Sequence, residues 1–501
     1  MKQTTRILTA TLVMVFAAGC GGGSTTGTGG GTGTGGGTGT GGGTGTGGGT
    51  GTGGGTGTGG GTALGNLVAV ASANPDFSIL VQAVTKAGLV ADLQAATPKK
   101  TIFAPTNAAF AALLTELGAT GLDDLTAEQL KPILLYHVLG TEVRAAAATT
   151  AAMANTKVDS LGGKVQLGLM GSTIRLDARA SVTAADVLAS NGVIHVIDKV
   201  LLPSITDIAT TTPAVSSLVA ALVKADTATP SPGLVAALDN DAAAKVTVFA
   251  PTNAGFEALV TALKGSDNGA STGVTDLASF KADALIPVLT YHVAPARYLA
   301  AQVPTAATAI DTLGGKVTVQ RTGNAVTVDG VNVAVANLLA SNGVIHVIGS
   351  VLVPSITDVV TTSSKLSSLK AAVLAADGAA ATAPKIAAVL DGTAKFTLFA
   401  PSNAAFTALG TAPAGQALTN VLAYHAVPGN PVYASAALAL TAPLVAQTAL
   451  AGKTISVTAE GAPKQVKLAD STATKATVVE VNYFTSNGVI HVIDKVLIPS
   501  P

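Results

Sequence analysis

The sequence predicts three successive domains of mixed helix and strand, carried on one flexible tether, and three observations predict it. First, the phrase Asn191-Gly192-Val193-Ile194-His195-Val196-Ile197-Asp198-Lys199-Val200-Leu201-Leu202-Pro203-Ser204 returns nearly unchanged at 342–355 and 487–500. Second, two other phrases precede it each time in fixed order. One is Thr101-Ile102-Phe103-Ala104-Pro105-Thr106-Asn107-Ala108-Ala109-Phe110, matched at 247–256 and 397–406; the other is Tyr136-His137, matched by Tyr291-His292 and Tyr424-His425. Third, a tract of almost pure Gly and Thr at 21–62 sets the repeated part off from the N-terminus. A repeat of about 150 residues is the size of a domain rather than of one solenoid unit.

These three ordered phrases resemble the fasciclin (FAS1) domain family over residues 63–501. The resemblance implies an α+β fold, a twisted β-wedge with helices packed around it, in secreted or surface-anchored proteins concerned with adhesion and matrix contacts, not catalysis. It also marks Tyr136, His137, Tyr291, His292, Tyr424 and His425 as candidate adhesion contacts, because the family's Tyr-His region is a proposed receptor contact.

Residues 1–20 read as an export signal: Lys2 and Arg6 are the positive region, Ile7 to Phe16 the apolar core, and Ala17-Ala18-Gly19 the small-residue cleavage zone. Cys20, the one cysteine in the chain, stands where bacterial lipoproteins carry their lipid. Ala17 departs from the usual leucine of that pattern, so ordinary cleavage, releasing a protein with an exposed thiol, stays open. The Gly/Thr tract has no apolar side chain to bury and cannot offset the entropy of ordering. As a coil of about 40 residues it would span on the order of 35 Å, and roughly 140 Å fully extended. No strand, helix start or lysine accompanies its glycines, which excludes a phosphate-binding loop.

Domains are expected at 63–204, 205–355 and 356–501. The first opens with a helix whose Phe77, Leu80, Val81 and Val84 make an apolar stripe, capped by Asn74 with Pro75 in the first turn. Thr212 and Pro213 repeat the device, and Leu366, Leu369 and Val373 keep the stripe despite Lys370. The Phe-Ala-Pro phrase reads as a strand stopped by proline, then a helix capped by the Thr106 hydroxyl or the Asn107 amide, with Asn253 and Asn403 in the same place. Leu161-Gly162-Gly163-Lys164 and Leu313-Gly314-Gly315-Lys316 read as hairpin turns, with Ala451-Gly452-Lys453 in the third unit. The closing phrase reads as a type I′ turn at Asn191-Gly192 feeding a central strand covered on both faces. The stretches Pro203–Pro213 and Pro354–Ser364 read as short linkers, which makes a semi-rigid string.

All six histidines lie in repeated phrases. A zinc site needs three or four N, S or carboxylate ligands, which no unit supplies in its motifs. A His195–Asp198 dyad fails because positions three apart on a strand face opposite sides, and Gly349 replaces the aspartate in the second unit. His195, His346 and His491, like Asn107, Asn253 and Asn403, are therefore assigned structural roles, with no metal and no cofactor. With 28 basic and 28 acidic residues, nothing points to nucleic acid. No nucleophile stands near a base in a repeated pattern. The expectation is an exported, lipid-anchored protein of the cell surface or outer membrane that meets a surface or matrix protein or glycan by several weak contacts. The competing expectation is an envelope lipoprotein that binds a small ligand or glycan, marked by a deep pocket in one unit only.

Overall fold

A computed structural model describes residues 64–240, 245–265, 274–379 and 385–501. The signal, Cys20 and the Gly/Thr tether lie outside the described residues. Thr101-Ile102-Phe103-Ala104-Pro105 forms most of β1 (Lys100–Pro105), every residue of which is buried. Around it stand β2 (Val138–Leu139), β3 (Lys157–Ser160), β4 (Gly163–Met170), β5 (Thr173–Leu176), β6 (Ala180–Ala189) and β7 (Gly192–Ile197), in the spatial order β2-β1-β7-β6-β5-β4-β3. The sheet curls until its two edges meet, where the Leu161 amide donates to the Val138 carbonyl at 2.8 Å.

The second domain repeats this with β8 (Val246–Pro251), β9 (Val293–Ala294), β10 (Thr308–Thr312), β11 (Gly315–Thr322), β12 (Ala325–Val328), β13 (Val331–Ala340) and β14 (Gly343–Ile348). The third uses β15 (Phe396–Pro401), β16 (Ala426–Pro428), β17 (Leu444–Gln447), β18 (Thr454–Glu460), β19 (Gln465–Ala469), β20 (Ala476–Thr485) and β21 (Gly488–Ile493).

The curl gives each domain two cores. In the first, Phe77, Leu80, Phe110, Ile133 and Ile194 pack the helices against the outside of the sheet. Phe103, Tyr136, Val165, Leu176 and Ile197 fill its inside. The closing strand therefore has no polar face, and β7 runs between a parallel neighbour, β1, and an antiparallel one, β6.

The turn before it differs from the expectation. Ala189 pairs with Gly192, so Ser190 and Asn191 are the central residues, and neither adopts positive φ. Glycine is required at 192 for another reason: a Cβ there would lie 2.0 Å from the Lys100 carbonyl oxygen of the parallel neighbour.

The stretches read as linkers each contain a helix. Ser204 caps Ile205–Thr211 and Ser355 caps Ile356–Thr362, both in reciprocal capping boxes with Asp207 and Asp358. A matching helix, Leu67–Ser72, leads the first domain. Thr106 caps as expected, accepting from Ala109 N. Thr212 sits at its cap position without a side-chain bond; the Asn253 carboxamide accepts from Ser217 N at 2.9 Å in its place.

Candidate functional site

The Tyr-His phrase ends a helix in each domain, Ala127–Tyr136, Ala282–Tyr291 and Gly415–Tyr424, with the histidine as its C-cap. The tyrosine points into the curled sheet. Its hydroxyl donates to Lys164 O at 2.9 Å, Lys316 O at 2.7 Å and Thr454 O at 2.8 Å in turn. The histidine Nδ1 meets the carbonyl one turn back (Ile133, Val288, Val421) at 2.7–2.8 Å. Its Nε2 accepts from Leu201, Leu352 or Leu497 N at 2.9 Å, just beyond the closing strand. A carbonyl can only accept and an amide only donate, so Nδ1 carries the proton and the ring is neutral. Burial pushes His137, His292 and His425 down to about 4.

The second histidine of each domain does the complementary work. His195, His346 and His491 place Nε2 2.7–2.8 Å from the Val143, Tyr298 and Val432 carbonyls. Nδ1 accepts at 3.3 Å from the amide of Asp186, Asn337 or Asn482. Those three residues hold φ of 56–59° at bulges in β6, β13 and β20. Their side chains accept from Ala145, Ala300 and Ala434 N, starting the next helical segment. Burial lowers His346 and takes His491 down to about 4.

The asparagines are brackets as well. Asn107, Asn253 and Asn403 each accept from the amide of Ile79, Ser217 or Ser368 at 2.9 Å, and donate to Pro75, Pro213 or Ser364 O. Asn191, which the sequence reading placed only in a turn, accepts from Leu67 N at 2.8 Å and donates to Leu93 and Ala95 O. Asn342 and Asn487 accept from Ile205 and Ile356 N likewise. A constant separation of nine residues between Asp186, Asn337 or Asn482 and the closing histidine was the available signal for the bulge.

Tyr136, His137, Tyr291, His292, Tyr424 and His425, the expected adhesion contacts, are at most 5% exposed, and their polar atoms bond backbone, and in Tyr291 also Asp329, inside their own domains; this burial speaks against contact with a partner. The imidazoles have both nitrogens engaged, so none is free to act as a base. Among the described residues no three His, Cys, Asp or Glu side chains converge as a metal site would need.

What the repeats leave open lies between domains. The helix Ala127–Tyr136 packs on β13, and Ala282–Tyr291 packs on β20 in the same way. Leu299, Leu339 and Val344 join the first domain's helix-side core, and the corresponding Tyr433, Phe484 and Val489 join the second's. Gln129 Nε2 donates to Ala336 O at 2.8 Å across the first junction, where Glu116 pairs with Arg297 at 2.9 Å. At the second, Lys365 lies 2.7 Å from both Asp283 and Glu480, and Phe280 meets Phe484 edge-on at 5.5 Å. Beside this ion cluster is a cleft of about 280 Å³. No local motif could have exposed it, because its walls come from two domains.

Comparison with known proteins agrees with the repeat. The Fasciclin domain model matches residues 75–203, 216–354 and 374–499. Protein sll1483 of Synechocystis is 43% identical over 137 residues, 27% of this chain and 73% of that protein. Transforming growth factor-beta-induced protein ig-h3 of Sus scrofa is 26% identical over 455 residues, 87% of this chain; the match spans 58% of that protein's length. A solved FAS1 domain pair from the insect cell adhesion molecule Fasciclin I, 18% identical, covers 58% of this chain and 96% of that one with a TM-score of 0.27.

Proposed function

Because the chain belongs to the fasciclin domain family, we propose that it is a surface interaction protein: three fasciclin domains held off the envelope by a flexible tether that Cys20 anchors through lipid. The observation that carries this reading is how the repeated residues are used. Tyrosine, histidine and asparagine of every phrase are consumed inside the domains, so what differs from domain to domain is the outward surface. Three differing surfaces on one tether suit weak, simultaneous contacts with a surface or matrix protein or glycan. Such contacts gain about 100-fold or more in avidity without a strong single site. This is binding chemistry: the repeated imidazoles, the bases a catalytic site would draw on, have both ring nitrogens bonded to backbone.

Protease treatment of intact cells tests it. The wild-type domains are expected to be shaved from the surface, and Cys20→Ala to move the protein from the membrane fraction into the medium or periplasm. Retention of the Cys20→Ala protein on membranes would rule out the lipid anchor. Protection of the wild-type domains in intact cells would place them inside the envelope and favour the second reading, an envelope lipoprotein for a small ligand or glycan. One observation supports that second reading: the cleft occurs at the second junction, with a lining the first junction does not repeat.

A further inference from the structure

We infer that the cleft between the second and third domains binds a neutral polyhydroxyl ligand, either the terminal sugar of a glycan or a free monosaccharide. This deepens the small-ligand reading and rests on it for its biological setting only. A volume of about 280 Å³ lies at the low end of small-molecule sites, which suits one sugar unit.

The two sides of the cleft have different chemistry. Pro230, Pro232, Ile286 and Leu313 supply an apolar side, with the prolines on the loop that follows the helix Ser216–Ala225. Ser363, Ser364 and Thr290 supply hydroxyls. Ser363 stands at the N-cap of the turn Ser364–Leu366 but makes no capping bond, so its hydroxyl is unspent there. Thr290 donates to Ile286 O at 2.9 Å and keeps lone pairs with which to accept. A pyranose presents this pattern in reverse: an apolar ring face, and an edge of hydroxyls that both donate and accept.

Charge narrows the class further. Lys365 is shared by Asp283 and Glu480, and Glu480 also accepts from the Tyr483 hydroxyl. One cation against two carboxylates leaves the cluster net negative, which opposes phosphate or carboxylate ligands. Asp283, the carboxylate that lines the cleft, is fixed by the lysine and is a strong acceptor for ligand hydroxyls.

The first junction supplies the internal control. There Leu135 stands in place of Thr290, Pro213 in place of Ser364, Ala214 in place of Lys365 and Leu338 in place of Tyr483, while Thr212 keeps a hydroxyl without a capping bond where Ser363 stands. The same docking geometry thus comes with one of the three hydroxyls and without the lysine and tyrosine, so the second junction is the more richly furnished for a polar ligand.

Saturation-transfer NMR on the full chain tests this, with glucose, mannose, galactose and N-acetylglucosamine as free-sugar probes and trisaccharides ending in the same units as glycan probes. Choline and inorganic phosphate serve as the charged probes. At least one saccharide is expected to receive saturation, with transfer to the terminal unit alone if a glycan end is the ligand, and to the monosaccharide only if a free sugar is. Ser364→Phe should weaken binding about 10-fold or more by filling the mouth, and Ser363→Ala about 5-fold, one hydrogen bond's worth. Ala214→Phe at the first junction should leave it unchanged. No transfer to any saccharide, wild-type binding by a folded Ser364→Phe protein, or preference for choline or phosphate would each overturn the inference. Surface exposure is read separately by protease, so its failure would not be mistaken for failure of the cleft.

Discussion

Gly192→Ala is expected to unfold the first domain at a denaturant concentration where the other two still hold. The new Cβ would lie 2.0 Å from the Lys100 carbonyl oxygen, backbone that cannot swing aside. Relief requires β1 and β7 to part at their first pair, where the Lys100 amide donates to Asn191 O at 3.1 Å. Separation there also pulls on Asn191, whose carboxamide ties the leading helix at Leu67 to the carbonyls of Leu93 and Ala95. Overpacking on this scale costs about 3 kcal/mol or more, a large share of one domain's stability. Gly171→Ala is the control: its φ of 64° strains an alanine, but nothing lies within 4 Å of the added carbon, so about 1 kcal/mol is expected. Hydrogen exchange read by mass spectrometry resolves the domains. Loss of protection confined to the first domain in Gly192→Ala, with the control near wild type, is the expected pattern.

Acid should unfold the third domain first. His425 and His491 both titrate at about 4 because burial disfavours their charged forms. In the unfolded chain they would take up protons near 6.5. Between these values the unfolded state binds more protons than the folded one, so stability rises with pH. The contribution is fully present above about 6.5 and is lost as pH falls toward 4. Each imidazole is worth up to about 3 kcal/mol over that window, and two act together in the third domain. His137 provides one such group at about 4 in the first domain. In the second, His292 at about 4 and the lowered His346 act in the same direction. There they are offset by Asp329, whose carboxyl burial raises, so that the folded second domain takes up a proton more readily. Hydrogen exchange at pH 7, 6 and 5 should show the third domain losing protection ahead of the others. His491→Gln should remove part of that pH dependence. Acid loss led by the first domain, or no loss above pH 4.5, would contradict the assignment of neutral buried imidazoles.

Local chemistry was legible in the sequence wherever its partners lie close along the chain. Thr106 caps the residues just after it, Gly162-Gly163 closes a hairpin, and the β-branched residues on both sides of His195 in 193–197 mark a strand with two covered faces. The structural reading of the histidines was reached by elimination, and the structure supplies their partners. Long-range work was not legible. Asn191 reads as half of an Asn-Gly turn, yet its carboxamide reaches back 124 residues to Leu67, and glycine follows it because of a carbonyl on another strand. The leading helices were hidden because Pro203 and Pro213 bracket them like a linker, although Ser204-Ile205-Thr206-Asp207 spells a capping box. Tyr-His looked available for contact by resemblance alone; burial is a property of the whole curled sheet. The cleft at the second junction needed two domains in place before its hydroxyls could be seen together.

The measurement that most directly tests the central claim, that the repeated phrases hold the domains while the assembled surface makes contacts, is Tyr291→Phe in the full chain. The phenylalanine keeps the ring in the core and removes only the hydroxyl that bonds Lys316 O and Asp329. The second domain should lose about 1–2 kcal/mol in denaturant unfolding, with adhesion per folded molecule unchanged. An unaltered unfolding curve together with lost adhesion would contradict the account and return the tyrosine to the contact surface.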